Sequence, residues 1–208
     1  LGVRRTLDWA ARALREWDGS PPLPDLDDGP SPECKTGRKG DGRLLFAIVQ
    51  GGNDDGLRER CARSLGEMGF DGYGIGGLSI GEPREDMLRS LGVSIRHLPP
   101  CAPRYLMGVG SPPEIIDAVE MGADVFDSVY PTRNARHGTA FVAGGTMDLR
   151  RRRWEDVPGP LVEGCPCPVC GDLSVGYLHH LFRVKEMSAM RLLSLHNLRF
   201  ILDLVRDV

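Results

Sequence analysis

The sequence predicts an α/β protein: the C-terminal half of a (β/α)8 barrel followed by a cysteine-rich subdomain. Three observations predict it. From residue 43 to about 130, short apolar runs alternate with helical periodicity. Each apolar run stops at glycines or a proline, and three cysteines crowd into residues 165–170. Alternation of this kind means parallel strands joined by helical crossovers. Four such units in about 90 residues are half of a barrel, and a doubly wound open sheet is the competing arrangement.

Val3, Leu7, Ala10, Leu14 and Trp17 step by four and three, one apolar face of a helix. Residues 18–42 carry five prolines, five glycines and six acids, and read as a loop or insertion. Leu44–Val49 is a continuous apolar run, expected to be a buried parallel strand, and it ends at Gly51-Gly52. Leu57, Cys61, Leu65 and Met68 predict a helix, Tyr73–Ile75 a strand ending at Gly76-Gly77, and Met87–Ile95 a helix. Tyr105–Met107 predicts a strand, Pro112–Met121 a helix with proline in its first turn, and Val125–Tyr130 a strand. Residues 155–174 are turn-rich, and 175–206 read as helix. The expected domains are therefore 1–154, a partial barrel with a loop or insertion at 18–42, and 155–208, a zinc-binding subdomain with C-terminal helices.

At 208 residues, 41% hydrophobic and 26% charged, the chain has the composition of a soluble globule. It has no apolar run near the ~18 residues of a membrane span, and no secretory leader pattern. The chain opens on Leu1 and enters helical periodicity at once, so a fragment of a longer protein is expected. The cysteines at 34, 61, 101, 165, 167 and 170 are too unevenly spread for a disulfide framework. A reducing cytoplasm with one metal cluster fits better.

Cys165, Cys167 and Cys170 form C-x-C-x-x-C, and His196 follows on a helical stretch. Three thiolates and one imidazole make a closed, structural zinc site. Spacing alone leaves the fourth ligand open, since His179 and His180 are nearer. Between Pro131 and Arg153 stand arginines 133, 136, 150, 151, 152 and 153, with Asp148 the one acid. Such a local excess suits a phosphate backbone, although the net charge is -3 and a charge run is commonly a solvated face. Asp124 and Asp127 bracket the end of a strand, where barrels keep their catalytic groups; a helix cap or loop carboxylate is the plainer alternative.

Phe46–Gly52, Gly74–Glu82, Pro103–Gly110, Val125–Gly138, the cysteine cluster, Tyr177–His180 and His196-Asn197 occur together in order. In these segments the sequence closely resembles the tRNA-guanine transglycosylase (queuine tRNA-ribosyltransferase) family, from residue 43 almost to the end. The resemblance implies a (β/α)8 barrel with a zinc subdomain. It implies exchange of guanine at the wobble position of GUN-anticodon tRNAs for a 7-deazaguanine. By matching motif positions Asp127 is the nucleophile, Gln50 and the backbone of Gly77 and Leu78 recognise the base, and Met107 packs on it. The zinc ligands become Cys165, Cys167, Cys170 and His196, and Arg133 and Arg136 fall near the tRNA. A carboxylate under a ribose carbon can trap oxocarbenium character as an ester, as retaining glycosidases do, once the nucleotide leaves its stack.

Three departures from the family pattern stand out. The D-S-G-G-F-Q segment, source of the expected general acid/base, is absent, so the chain alone is expected to be inactive. The 18–42 linker is longer than usual, and Ser128 replaces the common Cys after the nucleophile. By the same resemblance, Ile80 and the chain's end soon after His196 suggest a bacterial enzyme using 7-aminomethyl-7-deazaguanine (preQ1), and the family suggests a homodimer. A non-catalytic tRNA-binding partner subunit of the same fold is one alternative, disfavoured by the retained Asp127. A zinc hydrolase is another, disfavoured because a closed Cys3His site has no open coordination position.

Overall fold

The computed structural model describes residues 2–19 and 43–208. The expected loop at 18–42 therefore lies outside the described residues, except for its first two positions, which end α1 (Gly2–Gly19). The chain divides into two compact units. One comprises 1–109 with 116–127, the other 110–115 with 128–208.

The first unit holds a four-stranded parallel sheet in the order β1 (Phe46–Val49), β2 (Gly72–Ile75), β3 (Arg104–Leu106), β4 (Val125–Phe126). Between them run α2 (Asp55–Met68), α3 (Arg84–Ile95) and α4 (Pro112–Glu120). Strand neighbours in space are neighbours in sequence, with no reversal of order at which a doubly wound sheet would switch direction. Alternate residues explain the layering. Ala47, Val49, Tyr73, Ile75 and Leu106 are buried with Cys61, Leu65, Met87, Leu91 and Ala118 from the helices in one core. Ile48 and Val125 face the other way and are about two-fifths exposed. Local signals set the helix ends: the Asp54 side chain accepts from Leu57 N and caps α2, and Gly69 closes it in left-handed conformation. Buried Asp71 exchanges hydrogen bonds with the Leu45 backbone and fixes the entry to β1.

The predicted strand at Val125–Tyr130 is corrected: it spans two residues, and α5 (Tyr130–Arg136) begins at its end. Pro131 in the first turn of α5 explains why, since its fixed φ and missing N–H suit a helix start better than a central strand. In the second unit α5 is followed by a hairpin of β5 (Thr139–Val142) and β6 (Gly145–Asp148) that the strand reading had not anticipated. The turn-rich segment contains α6 (Pro168–Asp172). The helical stretch at 175–206 is two helices, α7 (Val175–Arg183) and α8 (Ser188–Asp207), broken at 184–187, where Lys185 takes φ 58°. No helix among the described residues is long and apolar enough to cross a membrane.

Candidate functional site

The sheet register assembles a row of side chains at the carboxyl ends of the strands. Val49 pairs with Ile75, Ile75 with Leu106, and Leu106 with Phe126. One residue further along each strand stand Gln50, Gly76, Met107 and Asp127. Because side chains alternate, those of Gln50, Met107 and Asp127 face away from the helix-packed core, and Gly76 leaves a gap between them. Their backbones continue the ladder: Gly76 N donates to Val49 O and Met107 N to Ile75 O.

Each member of the row has its own support. Gln50 N donates to the buried Cys61 Sγ at 3.3 Å, which ties the strand end to α2. The Gln50 carboxamide lies against the Gly76-Gly77 backbone: a Cβ on Gly76 would sit 2.8 Å from Nε2, and one on Gly77 3.0 Å from Oε1. Gly77 holds φ 68°, so both conformation and space call for glycine there. The Met107 Sδ lies over β2, 3.4 Å from where a Cβ on Gly74 would be. Leu78 is buried, whereas Ile80, the residue from which a small base was expected, is 84% exposed. The loop carrying them is folded back on Glu82, whose carboxylate accepts from Ser79 N and from Ile80 N at 2.9 Å. Burial is the largest single influence and raises the Glu82 carboxyl, but the N–H groups of Glu82, Ser79, Ile80 and Gly81 together outweigh it and hold the carboxyl below its usual range.

Asp127 is exposed, and its two oxygens differ. Oδ1 accepts from Tyr105 Oη at 2.7 Å and from Gly108 N at 2.9 Å. Among the described residues no side chain or backbone group of another residue donates to Oδ2. One oxygen is anchored and the other is available to attack an electrophile. The Tyr105 hydroxyl first, then the Gly108 N–H, hold the Asp127 carboxyl below the usual carboxylate range, while the same contact raises the Tyr105 phenol. Asp124, the other aspartate bracketing the strand, is committed to Arg104, accepting from its N at 2.9 Å and its Nε at 3.2 Å. Sequence reasoning gave Tyr105 no role. The signal was present in register, since Tyr105 stands opposite Val125, two residues before Asp127 on the same face.

The second unit contains the cysteine cluster. The sulfurs of Cys165, Cys167 and Cys170 lie 4.0, 3.6 and 3.4 Å from His196 Nδ1. A tetrahedral ion with the usual zinc–sulfur and zinc–nitrogen lengths requires S···N edges of roughly 3.6 Å. His196 Nε2 faces Phe141 O at 2.8 Å, and as donor to that carbonyl it turns the Nδ1 lone pair to the thiols. Burial, then the neighbouring sulfurs, push the Cys170 thiol up to about 12, so a cation is needed for all three to ligate as thiolates. The donor set thus fits a zinc ion. His179 and His180 are not the fourth ligand, because neither belongs to the set of donor atoms that lie within 4.8 Å of one another. Buried Asn197 braces the same region, accepting from Phe141 N and donating to Pro131 O and Thr139 O.

The arginines divide. Arg150 and Arg151 pair with Asp148, Arg152 with Glu155, and Arg153 lies over the Trp154 ring at 4.5 Å. Arg133 and Arg136 lie on the exposed side of α5, and no carboxylate among the described residues pairs with them. The local cationic excess is therefore smaller than the count of arginines implies.

Comparison with known proteins agrees with this arrangement. The family model described as "Queuine tRNA-ribosyltransferase" matches residues 2–208. The chain is 43% identical over 206 residues to the queuine tRNA-ribosyltransferase of Clostridium acetobutylicum, covering 99% of this chain and 52% of that protein. It is 42% identical to that of Thiobacillus denitrificans, over 99% of this chain and 50% of the relative. To that of Marinobacter nauticus it is 47% identical over 200 residues, 96% of this chain and 48% of the relative. The chain spans about half the length of these relatives and matches their C-terminal half. On sequence and on the match across nearly its whole length, the chain belongs to the queuine tRNA-ribosyltransferase family.

Proposed function

We propose that the protein to which these residues belong is a tRNA-guanine transglycosylase that replaces the wobble guanine of GUN-anticodon tRNAs by preQ1. The observation that carries this reading is the row of Gln50, Gly76, Met107 and Asp127 at the carboxyl ends of four sequential parallel strands. Sequential order supports a closed (β/α)8 barrel, of which 1–154 are part, with 155–208 as the zinc-binding subdomain. Cys165, Cys167, Cys170 and His196 would hold zinc, which when bound neutralises the thiolates and clamps their loop to α8.

In this reading Asp127 Oδ2 bonds to the ribose C1′ as the bond from C1′ to the guanine nitrogen breaks. Guanine leaves with the electron pair and takes a proton from a general acid. That acid belongs to the D-S-G-G-F-Q segment expected outside these residues, without which they do not complete the reaction. The incoming base loses the corresponding proton and displaces the carboxylate, and two inversions retain configuration. Tyr105 and Gly108 keep Asp127 ionised and aimed. Gln50 with the Gly77 and Leu78 backbone reads the polar edge of the base, and Met107 contacts its face. Arg133 and Arg136, as unpaired cations, suit the tRNA backbone. The choice of preQ1 over queuine rests on the identity of Ile80 within the family motif, a bulky aliphatic residue as in bacterial members. A homodimer in the cytoplasm completes the proposal, the latter resting on a cysteine spacing too uneven for a disulfide framework.

The test uses the full-length protein. Wild type should incorporate labelled guanine into tRNA and form an RNA adduct that survives denaturation. Asp127→Ala should do neither. Undiminished exchange in the variant removes Asp127 from the reaction, and a wild type without exchange or adduct favours the non-catalytic partner subunit.

A further inference from the structure

Arg58 is wholly buried on α2, yet no carboxylate among the described residues pairs with it. Its guanidinium bonds instead to neutral oxygens of two loops and of α3. Nε donates to Gly52 O at 2.7 Å, Nη2 to Gly76 O at 3.0 Å and to Gly77 O at 3.4 Å, and Nη1 to Ser94 Oγ at 3.3 Å. Ser94 passes its own proton to Ser90 O, which fixes the hydroxyl as acceptor. A buried cation is costly unless fully hydrogen-bonded, so a residue kept in this state needs a reason.

Peptide geometry supplies one. In a trans peptide the C=O and the following N–H point in opposite directions, and no peptide among the described residues is cis. Gly76 O and Gly77 O both point at Arg58. The N–H groups of Gly77 and Leu78 must then point the other way. Neither has an acceptor among the described residues, and Gly77 is exposed. Two successive N–H groups aimed alike, with left-handed Gly77 between them, form a small nest for one electron-rich oxygen. Hydrogen bonding of both carbonyls to a cation polarises the same peptides and strengthens their N–H groups as donors.

We propose that Arg58 is a positioning and specificity-determining residue that aims the Gly77 and Leu78 N–H groups at the carbonyl oxygen of the purine-like base. This rests on the transglycosylase reading. It adds that the preference for a 6-oxo base is set from behind the loop by a group that never touches the base. The same positive charge favours the departing guanine, whose negative charge spreads onto that oxygen.

The test measures dissociation constants of guanine and of 2-aminopurine, which lacks the oxygen, by calorimetry on full-length protein. Arg58→Met should weaken guanine by about tenfold or more, the scale of one or two hydrogen bonds, and 2-aminopurine by much less. The KM for tRNA should stay unchanged. Ser94→Ala, which removes one acceptor and keeps the cation, should give a smaller loss with the same preference for guanine, and it serves if Arg58→Met does not fold. Equal weakening of both bases, or of neither, in folded Arg58→Met or Ser94→Ala overturns the proposal. Base binding is read without chemistry, so a missing covalent adduct with the contrast intact would instead count against the transglycosylase reading.

Discussion

Gly52 and Gly77 form a matched pair. Both hold left-handed backbone, φ 59° and 68°, where a side chain costs about 1–2 kcal/mol. They differ in what that side chain meets. A Cβ on Gly52 has nothing within 4 Å, whereas one on Gly77 lies 3.0 Å from Gln50 Oε1. Alanine at either position should therefore destabilise the protein by the same ~1–2 kcal/mol. Only Gly77→Ala displaces the Gln50 carboxamide, by a few tenths of an ångström. At about 1 kcal/mol for each neutral hydrogen bond, losing one or two to the base raises the KM for guanine roughly five- to thirtyfold. Urea unfolding measures the first quantity, and steady-state exchange of labelled guanine by full-length protein measures the second. Gly52→Ala should match Gly77→Ala in stability and wild type in KM. Equal KM values for the two variants would refute the placement of Gln50 as a base-reading group.

Tyr105→Phe removes the main cause of the low Asp127 pKa. The carboxylate is the reactive form, so activity is lost as pH falls through that pKa, and the acid limb of the pH–rate profile should move to higher pH. The depressed carboxyl also lends stability above the unfolded-state pKa that disappears as pH falls through the folded-state one, and the variant should show less of this acid dependence. An unmoved acid limb would show that the hydroxyl does not govern Asp127. Asn197→Ala strands Phe141 N, Pro131 O and Thr139 O, which at ~1 kcal/mol or more apiece should lower stability by about 3 kcal/mol or more in denaturant unfolding. Treatment of zinc-loaded protein with a chelator should expose three further thiols to a thiol reagent and lower the Tm, since metal affinity is folding energy; an unchanged thiol count would contradict the assigned ligands.

Much of the fold was legible because parallel strands buried by helices are written as continuous apolar runs. Phe46–Val49 and Gly72–Ile75 end at the glycine pairs that mark where the chain must turn. Val125–Tyr130 misled because Val129 and Tyr130, both good strand formers, follow Asp127-Ser128, and it is backbone chemistry at Pro131 that starts the helix at Tyr130. The hairpin was missed although its signal is present: Ala140–Ala143 is a short apolar run that stops at Gly144-Gly145, and only the returning strand, β6, is mostly polar.

By itself the sequence determined the strand–helix alternation, the soft-metal ligand cluster and, through its motifs, the family and the candidate nucleophile. These are local properties, because periodicity, turn residues and donor type are settled within a few positions of each other. Only the tertiary structure brought His196 Nδ1 against the three sulfurs, tied Asp124 to Arg104 while leaving Asp127 exposed, and revealed Tyr105 and Arg58. Those four outcomes depend on which groups from distant segments meet, and so on strand register and helix packing: a pairing one residue out would turn Asp127 and Gln50 into the core.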